Sequence, residues 1–403
     1  MTRKIVIIGG GAAGFFAAIT SAEQNPDYEI TILEKSATVL QKVKISGGGR
    51  CNLTHACFDP KELVQFYPRG GKELLGPFHQ FMTGDTMQWF EEQGVPLKIE
   101  PDNRVFPASD SSQSILNALL KAAEKVNVSV QTNHRVDAVE KENDHWKIQT
   151  NQGAFLADKL MFATGSNSAI WNLLTTLNHT IVKPVPSLFT FNCEDTRIRD
   201  IPGVAVANVS VKIEGSKLET SGPLLITHWG MSGPAILKLS AFGARILAEQ
   251  NYQFSIRVNW LSKGPLVAEG ILNSFKKELV KKQLLPNSPF TEIPKRLWEK
   301  LVIHSGINPS KNWADLSKNE IVSLADLLTN SVFGIKGKST FKEEFVTAGG
   351  VDLKEVDFKR FESKIHKNLF FAGEVLNIDG LTGGFNFQNA WTGGYIAGKT
   401  MAE

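Results

Sequence analysis

With 403 residues, the chain exceeds what one hydrophobic core usually organises, so two or three domains are expected. Its 44 Lys and Arg against 41 Asp and Glu give a formal charge of +3, too small an excess to point to a nucleic-acid groove or an anionic membrane surface. A small-molecule substrate is therefore expected, with neither nucleic acid nor membrane as partner. Cys51, Cys57 and Cys193 make no disulfide framework and fit a reducing compartment, the cytoplasm being favoured.

Lys4 to Ile8 is a short, apolar, β-rich run of the kind buried on both faces of a parallel sheet. Ala12 to Glu23 then predicts a helix and Glu29 to Leu33 a second strand, which closes a βαβ unit. Apolar residues recur at helical spacing from Ser112 to Val126, behind Ser109-Asp110-Ser111 as a source of N-caps. Val128 to Thr132, Asp137 to Glu142, Trp146 to Thr150 and Lys159 to Ala163 read as strands. Between residues 187 and 265 the pattern becomes one of spaced strands, including Ser187 to Cys193, Val204 to Glu214 and Tyr252 to Trp260. A small β-barrel or sandwich is expected there. Residues 265 to 340 read as helical, with amphipathic spacing in Val267 to Lys282, Pro294 to His304 and Lys318 to Thr329. The β-rich Leu369 to Ala372 then returns before a Gly-rich turn and a last helix.

The chemistry is concentrated in three stretches. Gly9-Gly10-Gly11-Ala12-Ala13-Gly14 matches G-x-G-x-x-G between a predicted strand and a predicted helix. Gly9 permits the tight turn, Gly11 lets backbone approach a pyrophosphate, and Gly14 lets the helix pack on the strand. Glu34 follows 20 residues after Gly14, at the end of the second strand and beside Lys35, where a carboxylate accepts hydrogen bonds from ribose hydroxyls. It would repel a 2′-phosphate, so FAD or NAD is preferred over NADP at this turn. The second stretch, Lys42-Val43-Lys44-Ile45-Ser46-Gly47-Gly48-Gly49-Arg50-Cys51-Asn52, places three glycines where backbone can lie against a flat ring. The strand-end pair Thr164-Gly165, where a parallel strand delivers ligand contacts at the carboxyl edge of the sheet, and Val136 are counted with the cofactor residues. In the third, Gly373-Glu374 ends a strand, and Asp379 through Gly384, Phe385, Asn386, Gln388 and Asn389 lead into a helix. A helix N-terminus there would stabilise the negative charge that develops at the N1/O2 edge of a flavin on reduction.

On these motifs, together with Arg104-Val105-Phe106-Pro107 and Thr227-His228-Trp229-Gly230-Met231-Ser232-Gly233-Pro234, the chain resembles the bacterial BaiN-like family of NAD(P)/FAD-dependent oxidoreductases, within the glutathione-reductase-like flavoprotein superfamily. The resemblance covers essentially the whole chain. It implies an α/β fold with a discontinuous Rossmann-like FAD-binding domain at 1–186 and 346–403, interrupted by a β-barrel-like domain at 187–265 and a small helical subdomain at 266–345. It also implies that Glu374 lies near the ribityl or pyrophosphate part of FAD, Lys42, Arg50 and Asn52 near its phosphates or ring, and Asn386, Gln388 and Asn389 at the isoalloxazine helix. Proposed substrates in the family include unsaturated steroid ketones and aminoacetone.

The expected reaction is hydride transfer from reduced flavin to a small organic substrate such as an activated alkene or enone, with NAD(P)H as a transient reductant. Alternatives are an FAD-dependent amine oxidase and an RNA-modifying flavoprotein. Catalytic candidates are His228, Arg50 and Asn386. His228 is either a proton donor facing the flavin or a histidine ahead of a helix that Ser232-Gly233-Pro234 would cap. Five residues separate Cys51 from Cys57, one more than in the redox-active pair of glutathione-reductase-like enzymes, so packing thiols are expected. No cluster has the spacing of a zinc site.

Overall fold

The computed structural model describes residues 3–339 and 346–403. The chain divides into two compact units, one formed by residues up to 184 together with 347–403, the other by 185–346.

In the first unit, Leu369–Phe371, Lys159–Phe162, Lys4–Ile8, Glu29–Leu33 and Ser129–Gln131 lie side by side as parallel strands, in that order, within a seven-stranded sheet. Ile5 to Ile8 and Ile30 to Leu33 are all buried, as runs covered on both faces require. Register places Ile8 beside Leu33 on one side and Phe162 on the other, so three strand ends share one carboxyl edge. The helix Ala12–Gln24 leaves that edge and packs along the last helix, Phe385–Ala402. Their closeness depends on glycine: a Cβ at Gly394 would stand 2.7 Å from the Ala13 carbonyl oxygen and one at Gly398 2.6 Å from that of Ala17. Ser21 Oγ donates to the Gly398 carbonyl at 2.8 Å. Elements of this unit that periodicity did not predict include the helices Gly71–Phe78, Thr83–Glu92 and Ser168–Thr176 and the hairpin strand Gly153–Ala157.

The second unit is a barrel. Its strands run Ser331–Lys336, Gln253–Asn259, Ala205–Ile213, Glu219–Ile226, Gly230–Ser232, Thr190–Asn192 and Lys338–Ser339. The first and last of these belong to one stretch of chain, which turns at Gly337 (φ 133°) and so joins the two sheet edges. The helices Pro265–Glu278, Lys295–His304 and Lys318–Thr329 bury Trp298, Leu301 and Leu324 in the same core as Phe333 from a strand and Trp260 just past the end of another.

Two expectations need correction. Ser187 to Cys193 is not one strand: Leu188 at φ 56° breaks it into Ile181–Ser187, which pairs with Val346–Val351 in a separate two-stranded sheet, and Thr190–Asn192 in the barrel. The helical reading of 265 to 340 fails at Ser331–Lys336, whose burial alternates with period two, the signature of a strand with one face on the core. Residues 340–345, at the end of that reading, lie outside the described residues. Among the described residues no helix is long and apolar enough to cross a membrane, and no group of His, Cys, Asp and Glu could hold a metal ion.

Candidate cofactor site

The N-terminal turn is held by backbone bonds and by one side chain, Glu34. The Gly9 N–H donates to the Leu33 carbonyl at 2.8 Å and the Leu40 N–H to that of Gly10 at 2.8 Å. A Cβ at Gly14 would stand 2.0 Å from the Gly9 oxygen, and one at Gly9, already at φ 112°, 2.5 Å from the Ala163 oxygen. Gly11 differs, because nothing lies within 4 Å of where its Cβ would be. The helix begins there without a side-chain cap, and its first internal bond is from the Phe15 N–H to the Gly11 carbonyl at 3.0 Å. The N–H groups of Ala12, Ala13 and Gly14 precede that bond, and their dipoles make the helix start an anion site. Glu34 closes one side of the turn: its Oε2 accepts from the Gly10 N–H at 2.9 Å and its Oε1 from the Ser36 N–H at 2.8 Å. Lys35 next to it is exposed. Val136 opens the strand Val136–Glu142, two residues beyond His134, whose N–H donates to the Glu34 carbonyl at 2.8 Å.

The stretch from Lys42 folds as Gln41–Gly49, a helix kinked at Ser46, Gly47 and Gly48, where the φ/ψ values leave the helical region. Ser46 Oγ donates to the Val43 carbonyl at 2.9 Å. Gly48 and Gly49, at φ 67° and 84°, also have nothing within 4 Å of a notional Cβ. Lys42 Nζ reaches Glu374 Oε2 at 2.6 Å. A Cβ on Gly165, beside Thr164, would meet the same two side-chain atoms at 3.7 and 3.8 Å. Lys42, Gly165 and Glu374 thus meet at one place although 332 residues separate the ion pair. Gly373 (φ 76°) lies against Ala13 and Ala390, bringing both helix starts to the same edge.

The C-terminal turn is held by side chains from residues 52 to 86. With its amide oriented to suit its neighbours, Asn52 accepts from the Gly384 N–H at 3.0 Å and donates to the Thr54 carbonyl at 3.1 Å. Gln388 Oε1 accepts from Thr54 Oγ1 at 2.6 Å and Thr86 Oγ1 at 3.1 Å, while its Nε2 donates to Thr392 Oγ1. The wholly buried Asp379 pairs with Arg69. Asn386 clamps Gly380, accepting from its N–H at 2.8 Å and donating to its carbonyl at 3.0 Å. The Phe385 ring stacks on Phe66 at 4.3 Å and lies 4.6 Å from the His55 ring. His55 Nδ1 is 3.2 Å from the Gly383 carbonyl, and burial pushes its pKa down. Arg69, Thr54, Thr86 and Phe66 carry no local motif, and sequence reasoning passed them over.

Two of the three catalytic candidates are already engaged. The Arg50 guanidinium lies 4.0 Å from the Phe106 ring centroid and bonds Glu100 at 2.7 Å and Asp110 at 3.3 Å. Asn386 is occupied by Gly380. His228 belongs to the second unit, at the exposed turn between Glu219–Ile226 and Gly230–Ser232 rather than at the start of the helix Pro234–Phe242. Cys51 and Cys57 are free and buried. Burial drives the Cys51 thiol up to about 12 and raises that of Cys57, which opposes thiolate chemistry.

These residues fit FAD. The room over Gly11 and the uncapped helix suit a pyrophosphate, and Glu34 stands where a ribose would meet it. The decisive feature is Asn389: both of its amide atoms are buried and partnerless among the described residues, at the start of a helix whose first bond is Gln388 N–H to Gly384 carbonyl. A buried amide without partners costs about 1–3 kcal/mol, so its retention suits a polar ligand edge.

Residues 3–400 match the family described as HI0933-like protein Rossmann domain. The chain belongs to this family. It is 28% identical to the 3-dehydro-bile acid delta(4,6)-reductase of Clostridium scindens, over 100% of this chain and 99% of that one. It is also 28% identical to the ribosomal RNA dihydrouridine synthase of Escherichia coli, over 98% and 97% of the two chains. Among solved structures it resembles a 3-ketosteroid-delta4-(5alpha)-dehydrogenase from Rhodococcus jostii, at 14% identity with a TM-score of 0.52, covering 100% of this chain and 97% of that one. The family and this fold agree with the flavoprotein oxidoreductase class expected from the motifs.

Proposed function

We infer that this chain is an FAD-dependent oxidoreductase that reduces a carbon–carbon double bond conjugated with a carbonyl. FAD, when bound, supplies the electron pair as hydride, with NAD(P)H as its reductant. The observation that carries the cofactor half of this reading is the unpartnered Asn389 amide at the start of the last helix. The substrate half rests on chemistry shared by the relatives. A 3-dehydro-bile acid with double bonds at positions 4 and 6 is a conjugated ketone, and making dihydrouridine saturates the uracil bond next to a carbonyl.

The chain's residues bind and orient. The free N–H groups of Ala12, Ala13 and Gly14 hold phosphate, and Glu34 takes ribose hydroxyls. The N–H groups of Phe385, Asn386 and Phe387, all before the first bond of the last helix, stabilise negative charge next to Asn389. Lys42 and Glu374 brace the strand-end glycine Gly165. A protein group or water gives the proton to the carbon next to the carbonyl.

The test is anaerobic stopped-flow. NADH or NADPH should bleach the bound flavin, and a steroid dienone should restore its absorbance. Flavin that neither nucleotide reduces, or that no conjugated carbonyl reoxidises, sinks the reading. A second reading is favoured by the full-length likeness to ribosomal RNA dihydrouridine synthases of Escherichia coli and Haemophilus influenzae: the double bond reduced is that of uracil in RNA. Reoxidation by unmodified ribosomal RNA, with gain of two hydrogens per reacted uridine by mass spectrometry, separates the two.

A further inference from the structure

Charge is divided unevenly along the chain. Residues 185–346 hold 20 Lys and Arg against 15 Asp and Glu, whereas the remainder holds 24 against 26. The second unit therefore carries the whole positive excess, which the composition of the full chain conceals. It also carries Trp229, 66% exposed, while Trp146, Trp260, Trp298, Trp313 and Trp391 are fully buried.

That exposure is built by the backbone. At the tip of the turn, the Thr227 N–H donates to the Gly230 carbonyl at 2.8 Å, the Trp229 N–H to Thr227 Oγ1 at 3.3 Å, and the Cys193 N–H to the Trp229 carbonyl at 2.9 Å. Gly230, at φ 147°, comes so close to the neighbouring strand that a Cβ would stand 2.2 Å from the Phe191 oxygen. The indole is thus presented to solvent by a fixed turn.

Beside it lies a cavity of about 710 Å³ bordered by Trp229, His228, Arg199 and Lys336. Its carboxylates are already matched: Asp195 by Arg197 at 2.7 Å, Glu194 by Lys336 at 3.7 Å and Asp200 by Lys300 at 3.9 Å. Arg199 is exposed and has no hydrogen-bond or ion-pair partner for its side chain among the described residues. Arg296 adds a further cation at the same rim, donating to the Asp200 carbonyl at 2.9 Å. Charged and polar residues, among them Glu194, Asp195, Arg199, Asp200, His228 and Lys336, are prominent in its lining, which suits a charged ligand better than a steroid, whose site should be lined chiefly by apolar side chains. An aromatic face next to an unmatched guanidinium matches one nucleotide of a single strand, where stacking and a phosphate contact act together.

We propose that this cavity is a subsite for single-stranded RNA, in which one base stacks on Trp229 and the adjoining phosphate is met by Arg199 and Arg296. It rests on the RNA reading above and supplies that reading with its grip outside the flavin unit.

The test is fluorescence anisotropy of a labelled oligouridine with the flavin-loaded full chain. Trp229→Ala should weaken binding about ten-fold and Trp229→Phe much less, since the π face is retained. Arg199→Ala should lower the slope of log K against log salt by about 0.7. Both variants should keep the flavin absorbance and its rate of reduction by NAD(P)H. Wild-type and Trp229→Ala protein binding oligouridine equally, or wild-type protein that binds none, overturns the subsite, even where a small dienone is reduced. Weaker binding by both variants supports the subsite even where no uridine is saturated; in that case it is the choice of uridine as substrate that fails.

Discussion

The first unit has two glycine-rich turns that face one sheet edge, and they are made in opposite ways. At Gly9 to Gly14 most constraints are local: the turn's own carbonyl and Glu34, 24 residues along, with the Ala163 strand end the distant exception. At Gly380 to Gly384 the constraints are remote. Gly384 abuts the backbone of Thr54, and the turn is gripped by Asn52, His55 and Arg69, more than 300 residues earlier. A pattern of sequence can encode the first because its physics is short-ranged. The second is decided by tertiary partners, and its glycines announce only that something comes close.

The most severe way to break this contrast is Gly14→Val. A side chain 2.0 Å from the Gly9 oxygen must displace the turn or the helix, and a loss of more than about 4 kcal/mol is expected, read as loss of the cooperative urea transition. Gly11→Ala is its counterpart. With φ −97° and open space beyond it, alanine should leave the stability of flavin-free protein unchanged while weakening FAD retention. Equal melting temperatures for Gly14→Val and wild type would contradict the local account.

The remote turn is tested by Arg69→Ala. Asp379 is fully buried and Arg69 13% exposed, so removing the cation from a buried carboxylate should cost about 3 kcal/mol. Urea midpoints give the value, and Arg69→Ala with Asp379→Asn should recover part of it. An unchanged midpoint would show that the pair is incidental to the turn.

This contrast also explains how much was legible. Lys4–Ile8, Ala12–Gln24 and Glu29–Leu33 were readable as unbroken apolar runs around a glycine turn, and Lys318–Thr329 because a helical period ran through it. Glu219–Ile226 was not, since Gly222 and Pro223 interrupt its alternation. Ser331–Lys336 was hidden next to three true helices although its own alternation is clean. At the site, the close packing of Gly14 could be read from spacing. The partners of Asp379, Gln388 and Asn386 could not, because Arg69, Thr54 and Thr86 are ordinary residue types whose roles arise only from folding. The modest total charge likewise masked the basic second unit.

A smaller effect separates binding from folding at the remote turn. Asn389→Leu replaces an amide that has no partners among the described residues with an apolar side chain of similar size. The flavin-free protein should be as stable or slightly more so, while flavin affinity should fall about ten-fold, the worth of one or two hydrogen bonds. Titration of flavin-free protein with FAD, followed by fluorescence, measures this. Loss of stability with unchanged affinity would assign Asn389 to packing.

The smallest expected effect is a pH dependence away from both turns. His179 is fully buried, with Nδ1 2.9 Å from Glu355 Oε2 and Nε2 3.1 Å from Ser363 Oγ. Ser363 Oγ also accepts from the Ile365 and His366 N–H groups, at 3.0 and 2.9 Å, so its own hydrogen points to Nε2 and the ring is neutral, with its proton on Nδ1. Protonating Nε2 would set two donors against each other. Burial accordingly pushes the His179 pKa below 6.5, with the nearby His366 acting in the same direction and Glu355 opposing both. The folded state then binds fewer protons than the unfolded chain, so stability is fully present above about pH 6.5 and is lost as pH falls toward the depressed folded value. His55, lowered by burial as well, adds to the same slope. Urea midpoints between pH 8 and 5.5 should fall with pH, and His179→Gln, which can still donate and accept, should flatten part of that fall; an undiminished slope in the variant would assign the dependence to His55 and the other histidines.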